Sequence, residues 1–226
     1  METVSELTPA ALNELFQPLQ PEERIRTLFD YFEESEVLLT SSFGIHSALL
    51  LYLMHLVKPQ KRAYFINTQF HFPETLAYKE QLADLWGLEI EELEPSCRSQ
   101  LLVLQRRMWE SQPDACCYLN KVWPLEPLKK GHKVWVSGLM GYQAHTRRNL
   151  QAFEKPRPGE TIWRFYPLID LTEQQYAGYK REFHLPPHPL EGQGYGSVGC
   201  LHCTVKGNGR EGRWKGSDKT ECGLHQ

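Results

Sequence analysis

Five of the six cysteines in this chain stand where thiol chemistry would need them. Cys116 and Cys117 are adjacent, Cys200 and Cys203 form a Cys-x-x-Cys, and Cys222 lies close to the C-terminus, whereas Cys97 has no neighbouring thiol in sequence. Two close pairs of thiolates, brought together by a fold, can complete a sulfur shell for zinc or for an iron-sulfur cluster, and spacing alone does not choose between them. A disulfide framework is a poor reading of the same residues, because cytosolic thiols are kept reduced. Cys222 sits in Lys219-Thr220-Glu221-Cys222-Gly223-Leu224-His225, so a glycine-flanked tail could carry it to a bound substrate and then out to a redox partner. Nearby Lys219, a charged His225 and any arginines at the site would favour its thiolate. The plainer alternative is a free cysteine near a frayed end.

Cationic residues are interleaved with every cysteine motif. Lys121 follows the adjacent pair, Arg147 and Arg148 follow the fourth expected strand, and Arg210 and Arg213 lie in Gly209-Arg210-Glu211-Gly212-Arg213-Trp214. Single exposed arginines are usually solvated surface, but guanidinium forks grip phosphate and sulfate oxygens bidentately, and their clustering points to an anionic substrate. A further anion site is offered by Ser41-Ser42-Phe43-Gly44-Ile45-His46-Ser47, where Ser41, Ser42, Gly44 and Ser47 would present hydroxyls and backbone N–H groups at a helix N-terminus. It lacks the Gly-Lys-Ser/Thr of a Walker loop, and taken alone it reads equally as an ordinary βα turn.

The elements that must position these residues follow from the apolar pattern. Residues 9–34 read as two helices broken around Pro18 and Pro21. Val37–Thr40, Ala63–Asn67, Leu88–Ile90 and Val134–Gly138 read as strands. Ala48–Val57, Pro73–Leu85 with Gly87 just past its end, and Leu101–Trp109 read as helices. Strands alternating with helices imply an α/β fold with a parallel twisted sheet covered on both faces. From Leu185 the texture changes to prolines and then nine glycines between Gly192 and Gly223. The chain therefore divides into residues 1–190, an α/β domain with N-terminal helices, and residues 191–226, a glycine-rich segment that carries reactive groups. His184 and His188 read as structural or surface histidines, since Pro186 and Pro187 break any helix between them, and Trp123, Trp135 and Trp163 read as core.

Composition removes other classes of function. Twenty-five Lys and Arg against 28 Asp and Glu give a formal charge of -3, so no global basic field exists to hold a nucleic acid. The same balance argues against a tRNA sulfur transferase. The longest apolar runs, such as Ala48–Met54, fall far short of the ~20 residues a membrane span needs. Met1–Glu14 lacks a basic stretch leading into an apolar segment, which leaves the cytoplasm as the expected compartment. A zinc-stapled binding domain, in which Cys222 would be incidental, is the non-enzymatic alternative.

The segments Ser41-Ser42-Phe43-Gly44, Phe72-Pro73-Glu74-Thr75, Cys116-Cys117 with Lys121, Gly199-Cys200-Leu201-His202-Cys203-Thr204, Gly212-Arg213-Trp214 and the terminal heptapeptide resemble the assimilatory sulfonucleotide reductases, which act on adenylyl sulfate or phosphoadenylyl sulfate. The likeness runs from about Val37 to the end of the chain. It implies an adenine nucleotide alpha-hydrolase-like (PP-loop type) domain with one 4Fe-4S cluster on Cys116, Cys117, Cys200 and Cys203, and Cys222 as nucleophile. It implies that Lys121, Arg210, Arg213 and His225 contact the phosphosulfate and that Arg147 approaches the nucleotide from another side. Ser41, Ser42, Gly44 and Ser47 would support the phosphate or ribose. The implied reaction is reduction of adenylyl sulfate to sulfite and AMP through a sulfonate on Cys222, with phosphoadenylyl sulfate as the alternative substrate and thioredoxin or glutaredoxin as reductant. A homo-oligomer is the expected assembly. The sequence departs from the family at Met140 and Gly141, where a basic pair is frequent, and at Asn120, where arginine is common.

Overall fold

Six strands build one sheet in the order β3-β2-β1-β4-β6-β5. They are β1 (Val37–Thr40), β2 (Ala63–Ile66), β3 (Ile90–Leu93), β4 (Val134–Val136), β5 (Phe153–Glu154) and β6 (Trp163–Phe165). The structure, a computed structural model, describes residues 8–225; the first part of the stretch read for a secretory leader lies outside the described residues. All pairings are parallel except β5 with β6, which is antiparallel. The expected third strand runs two residues later than the sequence suggests, and β5 and β6 carry too short an apolar run to be read from periodicity.

Alternation along the central strands explains why both faces are covered. Val37, Leu39, Val134 and Val136 enter one buried cluster, whereas Leu38 and Trp135 enter another on the opposite face with Ile66, Leu125 and Ile162. Parallel strands buried on both sides need apolar residues at consecutive positions, and β1 is buried at all four. The first face is closed by α1 (Pro9–Phe16), α2 (Pro21–Tyr31) and the wholly apolar side of α3 (Ala48–Val57). Both opening helices start on a proline, whose missing N–H is not needed there.

The helix α4 (Pro73–Trp86) stops at Gly87, whose φ of 61° is the left-handed conformation that ends helices. The stretch expected as one helix around Leu101–Trp109 is two, α5 (Cys97–Arg106) and α6 (Met108–Ser111), because Arg107 takes φ 46° between them. Then come α7 (Pro113–Cys117), a π turn over Tyr118–Val122 and α8 (Trp123–Gly131). The last helix, α9 (Glu173–Glu182), which has no clear apolar period, is started by a Thr172/Gln175 capping box. Of the tryptophans expected in the core, Trp135 is buried on one face of the sheet and Trp163 packs against the cluster on the other, but Trp123 is 57 % exposed, since it opens α8 on the solvent side. His188 is buried and bonds Thr75 Oγ1 (3.2 Å) and the Leu190 N–H (3.1 Å), a structural role, whereas His184 is exposed on the surface.

The glycine-rich segment is not a free linker. It folds back over the sheet through isolated bridges between His71 and Cys200 and between Thr204 and Arg213. Gly212 permits this return, because a Cβ there would stand 2.0 Å from the Val205 carbonyl oxygen. No helix among the described residues is long and apolar enough to cross a membrane.

Candidate active site

The strand order reverses at β1, which has β2 on one side and β4 on the other, and a cleft of about 190 Å³ opens at the carboxyl ends of these strands. Open α/β sheets bind ligands at such a switch point because the loops leaving adjacent strands diverge there. One wall is the loop after β1, including Ser41, Ser42, Gly44 and Ser47, joined by Ser137–Leu139 after β4. Ser47 Oγ donates to the Gly44 carbonyl (2.7 Å) and Ser41 Oγ accepts from the Phe43 N–H (3.2 Å), so these hydroxyls shape the loop. A Cβ on Gly44 would press on the Val198 carbonyl oxygen at 3.2 Å, which ties this loop to the returning segment.

The opposite wall carries Cys222, His225, Lys121, Arg147, Arg210 and Arg213. Apart from Arg148, which is exposed and outside the lining, the candidates for the substrate site thus line one cleft. The Cys222 thiol is held well below the ordinary thiol value. The hydrogen bond from the protonated Cys117 contributes most and burial opposes it; Lys121 and the Leu224 N–H lower it further and would remain if Cys117 were a deprotonated ligand. Two cations named from the sequence do not play the expected part. Lys219 is committed to Asp114, and burial pushes His225 down to about 4, leaving its ring neutral near pH 7. The cation that serves Cys222 is Lys121, whose own pKa is raised: burial works against the charge, but the thiols of Cys200, Cys222 and Cys117 outweigh it.

His225 stacks on Trp135 (5.5 Å between centroids, 18° between planes), and its Nδ1 is buried with no hydrogen-bond partner among the described residues. Trp135 in turn donates from Nε1 to Thr40 Oγ1 at the end of β1 (2.8 Å). Sequence reading treated Trp135 as core only, and nothing in its spacing signals this second task. The arginines divide their labour. Arg147 spends Nε (2.7 Å) and Nη2 (2.9 Å) on the Glu221 carboxylate and Nη1 on Gln143 Oε1 (2.9 Å). Arg210 also donates to Glu221 (3.0 Å). Both partners of the Arg147–Glu221 pair are nearly inaccessible, and removing one member of such a pair costs about 3–5 kcal/mol because the other charge is stranded. Arg213 instead reaches the Cys203 carbonyl (3.3 Å) and the Ser197 hydroxyl (3.4 Å), with its guanidinium 4.4 Å from the Trp214 ring centroid. Among the described residues neither Lys121 nor Arg213 is ion-paired to a carboxylate.

Behind this wall lies a second, smaller cavity lined by all four of Cys116, Cys117, Cys200 and Cys203, with Lys121 and Arg213 common to both spaces. Trp109 stacks on His202 (4.0 Å, 10°) and Phe70 meets both edge-on, which shields the sulfurs from water. Among the described residues no three His, Cys, Asp or Glu side chains converge on a point as around a single ion. All four thiols nevertheless line this one cavity, and four cysteine sulfurs are the donor set that iron-sulfur clusters use. Burial raises the Cys116 thiol to about 11, and the Asn120 amide N–H points at its sulfur (3.6 Å), the kind of hydrogen bond that stabilises a thiolate ligand. The donor set therefore fits an iron-sulfur cluster.

The departures from the family pattern have structural reasons. Asn120 is buried and bonds the Cys116 carbonyl (3.1 Å), Met140 is fully buried in the core, and Gly141 is required because a Cβ would stand 2.9 Å from the Ile169 carbonyl oxygen. A basic pair at Met140 and Gly141 would not fit. Cys97, which opens α5, is exposed and far in role from the other thiols.

Comparison with known proteins agrees with this geometry. The phosphoadenosine phosphosulfate reductase domain matches residues 36–206. An adenosine 5'-phosphosulfate reductase of Bacillus mycoides (strain KBAB4) is 36% identical over 199 residues, spanning 85% of both chains, and one of Bacillus cereus (strain 03BB102) is 35% identical over the same span. Among solved structures, phosphoadenylyl-sulfate reductase from Candida auris in a phosphate complex is similar with a TM-score of 0.76 and 25% identity, over 90% of this chain and 99% of that one. A Candida glabrata FMN adenylyltransferase (TM-score 0.59, 16% identity, 91% of this chain and 69% of that one) shares the fold alone. With its family domain over most of the chain and relatives above a third identical along nearly its whole length, this chain belongs to the phosphoadenosine phosphosulfate reductase family, the sulfonucleotide reductases.

Proposed function

We propose that the chain reduces adenylyl sulfate to sulfite and AMP in sulfate assimilation, with Cys222 as the nucleophile. The observation that carries this reading is that Cys222, Lys121 and Arg213 line the same switch-point cleft as the Ser41–Ser47 loop. The names of the Bacillus relatives support adenylyl sulfate as substrate. Residues 1–190 would hold the nucleotide, with Ser41, Ser42, Gly44 and Ser47 at its phosphate or ribose, and residues 191–226 would bring the reactive groups.

The sulfur of a phosphosulfate is shielded by anionic oxygens, so a thiolate reaches it only when those charges are neutralised. Lys121 and Arg213, unpaired with carboxylates, are the groups free to do so, with Arg210 beside them; the unpartnered Nδ1 of His225 offers a hydrogen bond. The Cys222 thiolate forms a bond to that sulfur, the bond from sulfur to the bridging oxygen breaks, and the electron pair leaves on AMP. A thiolate of thioredoxin or glutaredoxin then attacks the Cys222 sulfur, sulfite departs with the pair of the sulfur–sulfur bond, and a second thiol of the reductant resolves the mixed disulfide. Both electrons come from thiols.

A 4Fe-4S cluster on Cys116, Cys117, Cys200 and Cys203 would add charge and a cross-link that holds α7 and the Cys200–Cys203 turn together. This chain's own contribution is to keep Lys121 pointed at both the sulfurs and the cleft. A cytoplasmic setting suits reduced thiols. Phosphoadenylyl sulfate is the second reading, favoured by the likeness to the Candida auris enzyme over nearly its whole length. An anaerobic assay of sulfite release from the two nucleotides side by side, with thioredoxin present and iron quantified, tests all three parts. Faster turnover of adenylyl sulfate by a brown, iron-containing protein supports the proposal; a colourless zinc protein without sulfite release defeats it.

A further inference from the structure

The terminal heptapeptide is anchored on both sides of Cys222, and the two anchors differ in kind. On one side Lys219 pairs with Asp114, whose side chain is 69% exposed. On the other, Glu221 is buried under four donors: Oε1 accepts from Arg147 Nε (2.7 Å) and Thr146 Oγ1 (3.1 Å), and Oε2 from Arg147 Nη2 (2.9 Å) and Arg210 Nη2 (3.0 Å). Three of the five N–H groups of Arg147 are already committed, two to Glu221 and one to Gln143 Oε1, so the tail is its main partner. A buried bidentate pair that also satisfies every lone-pair direction fixes a backbone far better than an exposed pair does.

We propose that Glu221 is a positioning residue whose carboxylate, seated between Arg147 and Arg210, docks the tail so that the adjacent Cys222 faces the cleft. Arg147 then acts through Glu221 as the tail's anchor, in place of a direct contact with nucleotide. This rests on the reading of Cys222 as nucleophile. The seat itself is made of ion pairs and hydrogen bonds and lies outside the strands, so it can open without unfolding the sheet, which the second half of the reaction requires if an external thiol is to reach Cys222.

The test separates the anchor from the chemistry. Site-resolved alkylation of the full chain, with exposed Cys97 as internal reference, reads docking without any turnover. For Glu221→Gln the Cys222 labelling rate relative to Cys97 is expected to rise at least about tenfold, and Arg147→Gln is expected to match it, as for two members of one buried pair. The double variant should be no faster than either single one. Single-turnover transfer of sulfonate to the protein should fall by a similar factor while the affinity for adenylyl sulfate changes less than about threefold, and Glu221→Asp should recover part of the loss. Unchanged relative labelling in Glu221→Gln would overturn the proposal, as would additive effects in the double variant or loss of nucleotide affinity in Arg147→Gln. If wild type forms no sulfonate while labelling still responds to Glu221, the docking stands and the nucleophile assignment fails.

Discussion

The two walls of the cleft are built by different forces. The wall made by the Ser41–Ser47 loop and Ser137–Leu139 hangs from β1 and β4, whose register is locked by apolar residues buried on both faces. The facing wall, from Lys219 to His225, has almost no apolar anchoring beyond Leu224 and is held by ion pairs and by the stack of His225 on Trp135. A wall fixed by burial cannot move without loss of the fold, whereas a wall fixed by paired charges opens at a local cost. That asymmetry suits a nucleotide held still and a cysteine that must meet two partners in turn.

The comparison is broken most severely at the moving wall. Cys222→Ser should reduce sulfite release by on the order of 10³-fold or more while adenylyl sulfate still binds, as checked by steady-state assay and calorimetry. Replacing a cysteine behind that wall, Cys116→Ser, is expected to remove the visible iron-sulfur absorbance; an unchanged spectrum would reject that ligand. At the fixed wall, Leu39→Ala should cost about 2–5 kcal/mol in chemical denaturation. It should leave the relative labelling of Cys222 unchanged until global unfolding, because the sheet moves as one unit.

Acid sharpens the contrast with a smaller effect. His46, His188 and His225 are each pushed to about 4 by burial, so between pH 6.5 and about 4 the unfolded chain binds protons that the folded chain refuses. Stability therefore falls as pH drops through that window, by up to about 1.4 kcal/mol per pH unit for each histidine, and His188→Asn should give a shallower dependence of Tm on pH. The smallest effect belongs to Asp114→Asn. The exposed partner makes its pair with Lys219 worth about 0–1 kcal/mol, and Cys222 labelling should change less than about twofold.

The fixed wall was largely legible in the sequence because burial leaves a pattern. The four-residue run of β1, the apolar α3 and the proline and glycine that bracket α4 are each a local signal with one cause. The two- and three-residue strands β5 and β6 leave none, and the pairing of β6 with β4 and of β5 with β6 is a long-range outcome. The moving wall was legible as residue types but not as partnerships. Cys222, Lys121, Arg147, Arg210 and Arg213 were all found, yet a heptapeptide with one acid and two bases does not say which charge pairs with which. Lys219 and His225 were assigned as counter-ions to the thiolate, and the fold assigns Lys219 to Asp114 and leaves His225 neutral. The role of Glu221 is invisible without the Arg147 and Arg210 that reach it from elsewhere.

The most direct measurement is the intact mass of the full chain after anaerobic mixing with adenylyl sulfate and no reductant. The account predicts gain of one SO₃ group on the peptide that carries Cys222, release of an equal amount of AMP, and loss of the adduct with sulfite formation when thioredoxin is added. An adduct of the same mass on Cys222→Ser, or AMP released in equal amount without any adduct on wild type, would contradict it.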